Sequence, residues 1–187
     1  MEFVKIESQE WMTRNLNVDK FRNGDLIDLV SSFEDWRCAA ENKKPVCCFY
    51  NFNQGYESKY GRLYNWYAVS DSRILAPDGT HIPSDEEWNL LTDNLGGTNF
   101  AGNKLKCTSE HEQRSTGNNE SGFSGLLGGY LSSFEGFYHV GGNGYWWSRD
   151  EADNESAWRR ALVSFDSSIY RTKHYKHSGL SIRCLKD

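Results

Sequence analysis

No stretch of this sequence approaches the roughly eighteen consecutive apolar residues that a membrane helix needs, and the mean hydropathy is -0.74. No membrane insertion is therefore expected. The opening residues, MEFVKIESQEWM, lack both a basic n-region and an apolar h-region, so no secretion signal is expected within them. Concentrated positive charge is also missing. The formal net charge is -5, and Lys and Arg are scattered until the C-terminal segment. Binding to a phosphate backbone draws its affinity from neutralising many charges at once, so nucleic acid is not an expected partner. Metal-site spacing is absent too. Cys38, Cys47, Cys48, Cys107 and Cys184 contain no CxxC pair, and His81, His111, His139, His174 and His177 form no HExxH arrangement. Neither a metal nor another cofactor is expected. The cysteines are five, an odd number, so at least one is free or pairs between chains. One bridge from Cys47 or Cys48 to Cys38 or Cys184 stays open. Nor does a GxGxxG or Walker sequence open a helix among the many glycines.

What is present fits one domain spanning residues 1–187. Aromatic residues make up 14% and glycines number 17, a mixture that predicts a loop-rich fold whose core relies on large flat side chains. Phe3 to Ile6 reads as a strand, and Asn23-Gly24 as a tight turn. A short helix is predicted from Ser32 to Ala40 under a serine cap. Val46 to Tyr50 reads as a strand and Gly55 to Tyr60 as a loop; Tyr64 to Val69 continues as a strand or as a short helix begun by Asn65. The clearest helix is SDEEWNLLTDNLGG. Ser84 and Glu87 have the spacing of a capping box, Trp88, Leu91 and Leu95 form one apolar stripe, and Gly96 waits at the end. Paired Glu86 and Glu87 invite an acid-base reading, but neighbouring helical positions diverge by about 100° and acidic residues suit a helix start anyway. A second helical segment is predicted over Phe100 to Lys106, then an exposed loop over CTSEHEQRSTGNNESG.

From Asn143 to Asp187 two apolar segments, GYWWS and GLSIRCL, enclose a stretch crowded with Arg, Asp, Ser, Tyr, Lys and His. Ala161, Val163 and Phe165 alternate with Leu162 and Ser164, as Leu180, Ile182 and Cys184 do with Ser181 and Arg183, so each segment is expected to be a strand with one buried face. Between them DSSIYRTKHYKHSG predicts a hairpin or an irregular excursion, with Ser168, Tyr170, Thr172 and His174 on one side if extended. Tyr, Trp and Arg supply contact area at modest entropy cost, and short polar residues supply adaptable hydrogen bonds, which is the make-up of a recognition surface. The candidate ligand-binding residues are Arg149, Asp150, Asp153, Arg159, Ser164, Asp166, Ser168, Tyr170, Arg171, Lys173, His174 and Tyr175. The competing reading is a plain solvated loop.

The ordered motifs WMTRNLN, YGRLYNWYAV, HIPSDEEWNLLTDNLGG, NESGFSGLLGGY, GYWWS and GLSIRCLKD resemble the Fibrobacter succinogenes major paralogous domain along essentially the whole chain. That resemblance implies an α+β, C-type lectin-like fold of short twisted antiparallel sheets with one or two helices and much irregular loop. It also implies kinship with formylglycine-generating enzymes and with the variable proteins of diversity-generating retroelements. In the latter a C-terminal segment is rewritten at adenines while framing residues stay fixed. Here that segment is expected at 145–183, with Trp146, Trp147, Ala157, Trp158, Leu162, Gly179 and Arg183 as the frame. The sugar-site triplets of calcium-dependent lectins, EPN or QPD and WND, are absent. The expectation is thus a non-enzymatic module at a cell surface, outside the cell or on a phage particle, taking a protein or glycan ligand from another cell or host surface. The alternatives are a modifying enzyme using Cys184 with Cys47 or Cys48, and a structural domain of a surface protein. Cys184 alternates with core residues, which favours burial over nucleophilic work.

Overall fold

The computed structural model describes residues 1–108, 115–132, 134 and 136–187. Residues 109–114 of the exposed loop expected over residues 107–122 lie outside the described residues. The chain opens with strands β1 (Phe3–Ile6), β2 (Gln9–Met12) and β3 (Asp28–Leu29), then helix α1 (Phe33–Glu41) and β4 (Val46–Cys48). Two single turns of 3-10 helix, Tyr50–Phe52 and Gln54–Tyr56, lead into α2 (Glu57–Tyr60), β5 (Leu63–Tyr64), α3 (Trp66–Val69) and β6 (Thr80–His81). Two longer helices follow, α4 (Asp85–Asn94) and α5 (Thr98–Leu105). The remainder is strand and loop: β7 (Gly128–Ser132), β8 (Gly136–Val140), β9 (Asn143–Glu151), β10 (Ser156–Val163), β11 (Ile169–Tyr175) and β12 (Leu185–Lys186).

The architecture is α+β, built from small sheets ordered β1-β2-β12-β6, β3-β4-β5 and β11-β10-β9-β7-β8. The first sheet joins both ends of the chain, because β12 pairs with β2 and β6. Three expectations need correction. The sheets are not wholly antiparallel, since β3–β4 and β7–β9 run parallel. Helix is also more plentiful than one or two elements, and the loop expected over Gly55 to Tyr60 is a turn of 3-10 helix followed by α2.

Local chemistry explains the elements that were foreseen. Ser32 accepts the Asp35 amide at the start of α1, which buries Trp36 and Ala39. At α4 the Ser84 hydroxyl accepts the Glu87 amide at 3.1 Å while the Glu87 carboxylate accepts the Ser84 amide at 2.7 Å. Glu87 is therefore a capping residue, as its position at a helix start suggests. Trp88, Leu91 and Leu95 bury the inner face. Asn65 caps α3 by accepting the Ala68 amide, which resolves the choice between strand and helix there. Gly24 closes the turn after Asn23 with φ +94°.

The ribbon β9–β10 lies between two cores. Tyr145, Trp147, Ala157 and Ala161 pack with Leu180, Ile182 and Cys184 on one side. Trp146, Leu162 and Ile169 pack with Trp88, Leu91, Leu105 and Phe123 on the other. β10 therefore buries both faces over much of its length, not one face as its period-two alternation had suggested. The alternation also stops early. β10 ends at Val163, leaving Phe165 80% exposed.

Two buried cations tie the loops down. The Lys106 ammonium donates to Thr116 Oγ1 at 3.1 Å and to the carbonyls of Val163 at 2.7 Å, Ser164 at 3.2 Å and Asp166, fixing the turn after β10. Arg183 donates to Asn15 Oδ1 at 3.0 Å and to the carbonyls of Met12, Phe123 and Ser124. Beside that turn, α5 passes so close that a Cβ on Gly102 would meet the Ser168 carbonyl at 2.2 Å. The segment over Leu180 to Cys184 is buried throughout but is not a regular strand, being tied by single bridges from Leu180 to Tyr64 and from Ser181 to Trp146. Cys38, Cys47, Cys48 and Cys184 are free thiols, so the bridge left open above does not form.

Candidate functional site

β11 is the edge strand of the largest sheet, paired with β10 from Ser156–Tyr175 to Leu162–Ile169. The segment DSSIYRTKHYKHSG, expected as a hairpin or an irregular excursion, holds the single extended strand β11, which pairs back on β10. Because side chains alternate across a strand, Tyr170, Thr172 and His174 share one face while Arg171, Lys173 and Tyr175 share the other. The candidate residues therefore divide between two faces and do not form one continuous surface.

On the face of Arg171 the ribbon is fastened to α4. Asp85 accepts Arg160 Nη1 at 2.7 Å and Arg171 Nε at 2.9 Å, and the Arg171 guanidinium lies 3.3 Å from the Trp158 ring centre. Burial works against the Asp85 carboxylate, but hydrogen bonds from Arg171 and Arg160 outweigh it and hold its pKa below the ordinary range. Lys173 pairs with Asp153 at 2.9 Å on the surface. Tyr175, 54% exposed, stacks on His177 with centroids 5.2 Å apart, and Phe134 stands edge-on to His177 at 4.8 Å.

The opposite face holds a half-buried aromatic nook. Arg159 donates Nε to Thr172 Oγ1 at 3.1 Å and lays its guanidinium 4.5 Å from the Tyr145 ring centre and 5.7 Å from that of Tyr130. His174 stands edge-on to Tyr130 at 5.1 Å. His139 and Asn143 both reach the Tyr145 hydroxyl, at 2.8 and 2.7 Å. Burial lowers the Arg159 pKa, while Tyr145 and Tyr130 favour its charge. Burial, then Arg159 and His177, push His174 down to about 3, so its ring is neutral near pH 7.

Several candidates have scaffold roles instead. Ser164 is buried, and its carbonyl accepts Lys106 Nζ and the Thr116 amide, so it cannot face a ligand. Asp150 accepts the Asp85 amide at 2.6 Å, neutralising an unpaired donor at the start of α4. Arg149 is exposed, its amide is bound to the Pro83 carbonyl, and it lines a cleft with Arg22, Asp71, His81 and Asp187. At the turn end, Asp166 accepts the Ser168 amide and the Tyr170 hydroxyl, and Tyr170 remains 39% exposed. The sequence reading missed Tyr130, Tyr138, His139 and Asn143, which line the nook from the glycine-rich β7–β8 hairpin and the start of β9, and it missed His177 and Phe134. Tyr130 and Tyr138 face each other across the β7–β8 hairpin, and β7 reaches Tyr145 only through the β7–β9 pairing, so no local pattern in the sequence joins these residues.

A family model described as the Fibrobacter succinogenes major domain matches residues 4–186. The chain belongs to that family. No curated protein and no solved structure matches the chain. Within this Fibrobacter succinogenes major domain, no helix among the described residues is long and apolar enough to cross a membrane. Cys184, the thiol on which an enzymatic reading depends, is fully buried, and burial pushes its pKa up to about 12. Cys47 and Cys48 are equally enclosed.

Proposed function

We propose that this domain is a non-enzymatic, C-type lectin-like binding module, an adhesin or receptor-binding unit working at a cell surface, outside the cell or on a phage particle. Its ligand is a protein or glycan on another cell or host surface, gripped by the β10–β11 ribbon. The supporting observation is the contrast along the ribbon. Residues 170–173 and Tyr175 are exposed, while Trp146, Trp147, Ala157, Leu162, Gly179 and Arg183 of the expected frame are buried and Trp158 is half-buried. A rigid frame with an outward-looking edge lets ligand identity change without disturbing the fold. Rewriting of residues 145–183 by a retroelement would act on such a surface. Burial of Cys184 favours this reading over the thiol-dependent enzyme.

The test uses a glycan array and a panel of immobilised bacterial and host surface proteins, probed with the parent and with Lys173→Ala and Tyr175→Ala variants. The proposal expects a ligand that the parent captures and the variants lose at unchanged melting temperature. Capture that survives both substitutions would place recognition elsewhere on the domain.

A further inference from the structure

Most cations on the C-terminal ribbon are already paired. Arg160 and Arg171 share Asp85, Lys173 meets Asp153, and Lys176 meets Glu151. Arg149 is exposed to solvent. Arg159 differs from all of these. Its guanidinium sits between the Tyr130 and Tyr145 rings, it has no carboxylate partner among the described residues, and its Nη1 is buried without a hydrogen bond. Enclosed charges are ordinarily paired, because an uncompensated one loses hydration without recovering it.

A second orphan lies beside it. His174 Nε2 is also buried without a partner. In the β10–β11 register Arg159 faces Thr172 and Ala157 faces His174, which puts the two side chains at diagonal positions on the same face, both against Tyr130. Thr172 occupies Nε, so the outer nitrogens of Arg159 are left for a partner, and ring walls fix the plane of the fork.

We propose that Arg159 and His174 form a recognition site for a single carboxylate carried by the ligand of this module. Arg159 supplies the charge and a planar fork, His174 adds one N–H donor, and the flanking rings exclude water and strengthen both bonds. One guanidinium beside a neutral imidazole balances one negative charge, which favours a carboxylate over a phosphate dianion. Entry needs one side chain to swing aside. His174 is on the edge strand, and its ring makes no hydrogen bond to a described residue. The inference rests on the binding-module reading but not on knowing the natural ligand.

The experiment is an NMR titration of the whole domain at constant ionic strength. It follows the His174 ring and Arg159 guanidinium signals against acetate, glucuronate, glutarate, sulfate and neutral glucose. Saturable shifts at both residues with the three carboxylates, and little or none with glucose or sulfate, are expected. Glucuronate binding more tightly than glutarate would assign the carboxylate to an acidic saccharide, and the reverse order to an acidic peptide side chain. Arg159→Met should weaken binding roughly ten-fold or more, as loss of a charge-assisted bond implies. The same variant should melt no lower than the parent, because it removes an uncompensated enclosed charge. Absence of saturable shifts, equal response to sulfate, or marked destabilisation of Arg159→Met would overturn the site. Any of these would leave the capture results for Lys173 and Tyr175 standing, so the two readings fail separately.

Discussion

Asp85, the first residue of α4, accepts Arg160 Nη1 from the middle of β10 at 2.7 Å, and the Arg160 side chain is only 1% exposed. Arg160 also donates to the Asp85 carbonyl and to Asn89 Oδ1, so one guanidinium bolts the helix start to the sheet. Replacing Asp85 with Ala strands that cation. A loss of about 3 kcal/mol or more is expected in chemical unfolding, the range for removing one member of a buried pair. The double variant Asp85→Ala/Arg160→Met should recover much of it, since no charge is then left enclosed. A double variant as unstable as the single one would show that the ion pair is not the source.

Arg183 makes the corresponding bolt at the other end. Its guanidinium is fully buried, bonded to one side-chain oxygen and three backbone carbonyls, with its centre 4.3 Å from the Phe123 ring centroid. Burial pushes its pKa down to about 9. Arg183→Lys should destabilise strongly despite keeping the charge, because an ammonium on a shorter reach cannot span Asn15, Met12 and Ser124 together. Thermal melting of Arg183→Lys reads this directly; melting close to the parent would show that the charge alone suffices.

Acid should loosen the nook before it loosens the rest. The His174 pKa is depressed from 6.5 to about 3, so the folded state holds the ring neutral while the unfolded chain binds a proton. Its contribution to stability is full above pH 6.5 and is lost as pH falls toward about 3. The groups facing it are Arg159, His177, Tyr130, Tyr175 and Trp147, and Arg159 and His177 both oppose a further positive charge. The parent should therefore lose stability between pH 6.5 and about 4.5, above the range where most carboxylates titrate, and His174→Phe should lose much less there. Identical slopes for both proteins across that window would contradict the assignment.

What the sequence could reveal follows from how local each signal is. The α4 capping box, the Ser32 cap and the turn at Asn23-Gly24 are written within a few residues of where they act, and each was legible. The alternation of Tyr170, Thr172 and His174 was equally local. Long-range relations were not legible. Asp150 reads as an exposed acid until α4 is placed against it, and Ser164 reads as a surface residue until Lys106 claims its carbonyl. The two-sided burial of β10 and of Leu180 to Cys184 was hidden because period two marks faces without saying how many are covered. The Arg159 nook was invisible for the same reason, its walls coming from β7 and β9.

The most direct test of the whole account is thermal melting of a single variant carrying Tyr170→Ala, Lys173→Ala and Tyr175→Ala, measured beside Trp147→Ala. Exposed side chains off the packed core usually contribute about 0.5 kcal/mol or less each, whereas truncating a buried Trp removes roughly 3 to 5 kcal/mol. The triple variant is predicted to keep a cooperative transition within about 4 °C of the parent while Trp147→Ala falls far below both. A triple variant that melts as poorly as Trp147→Ala would show that the outer edge of the ribbon is part of the framework and cannot vary freely.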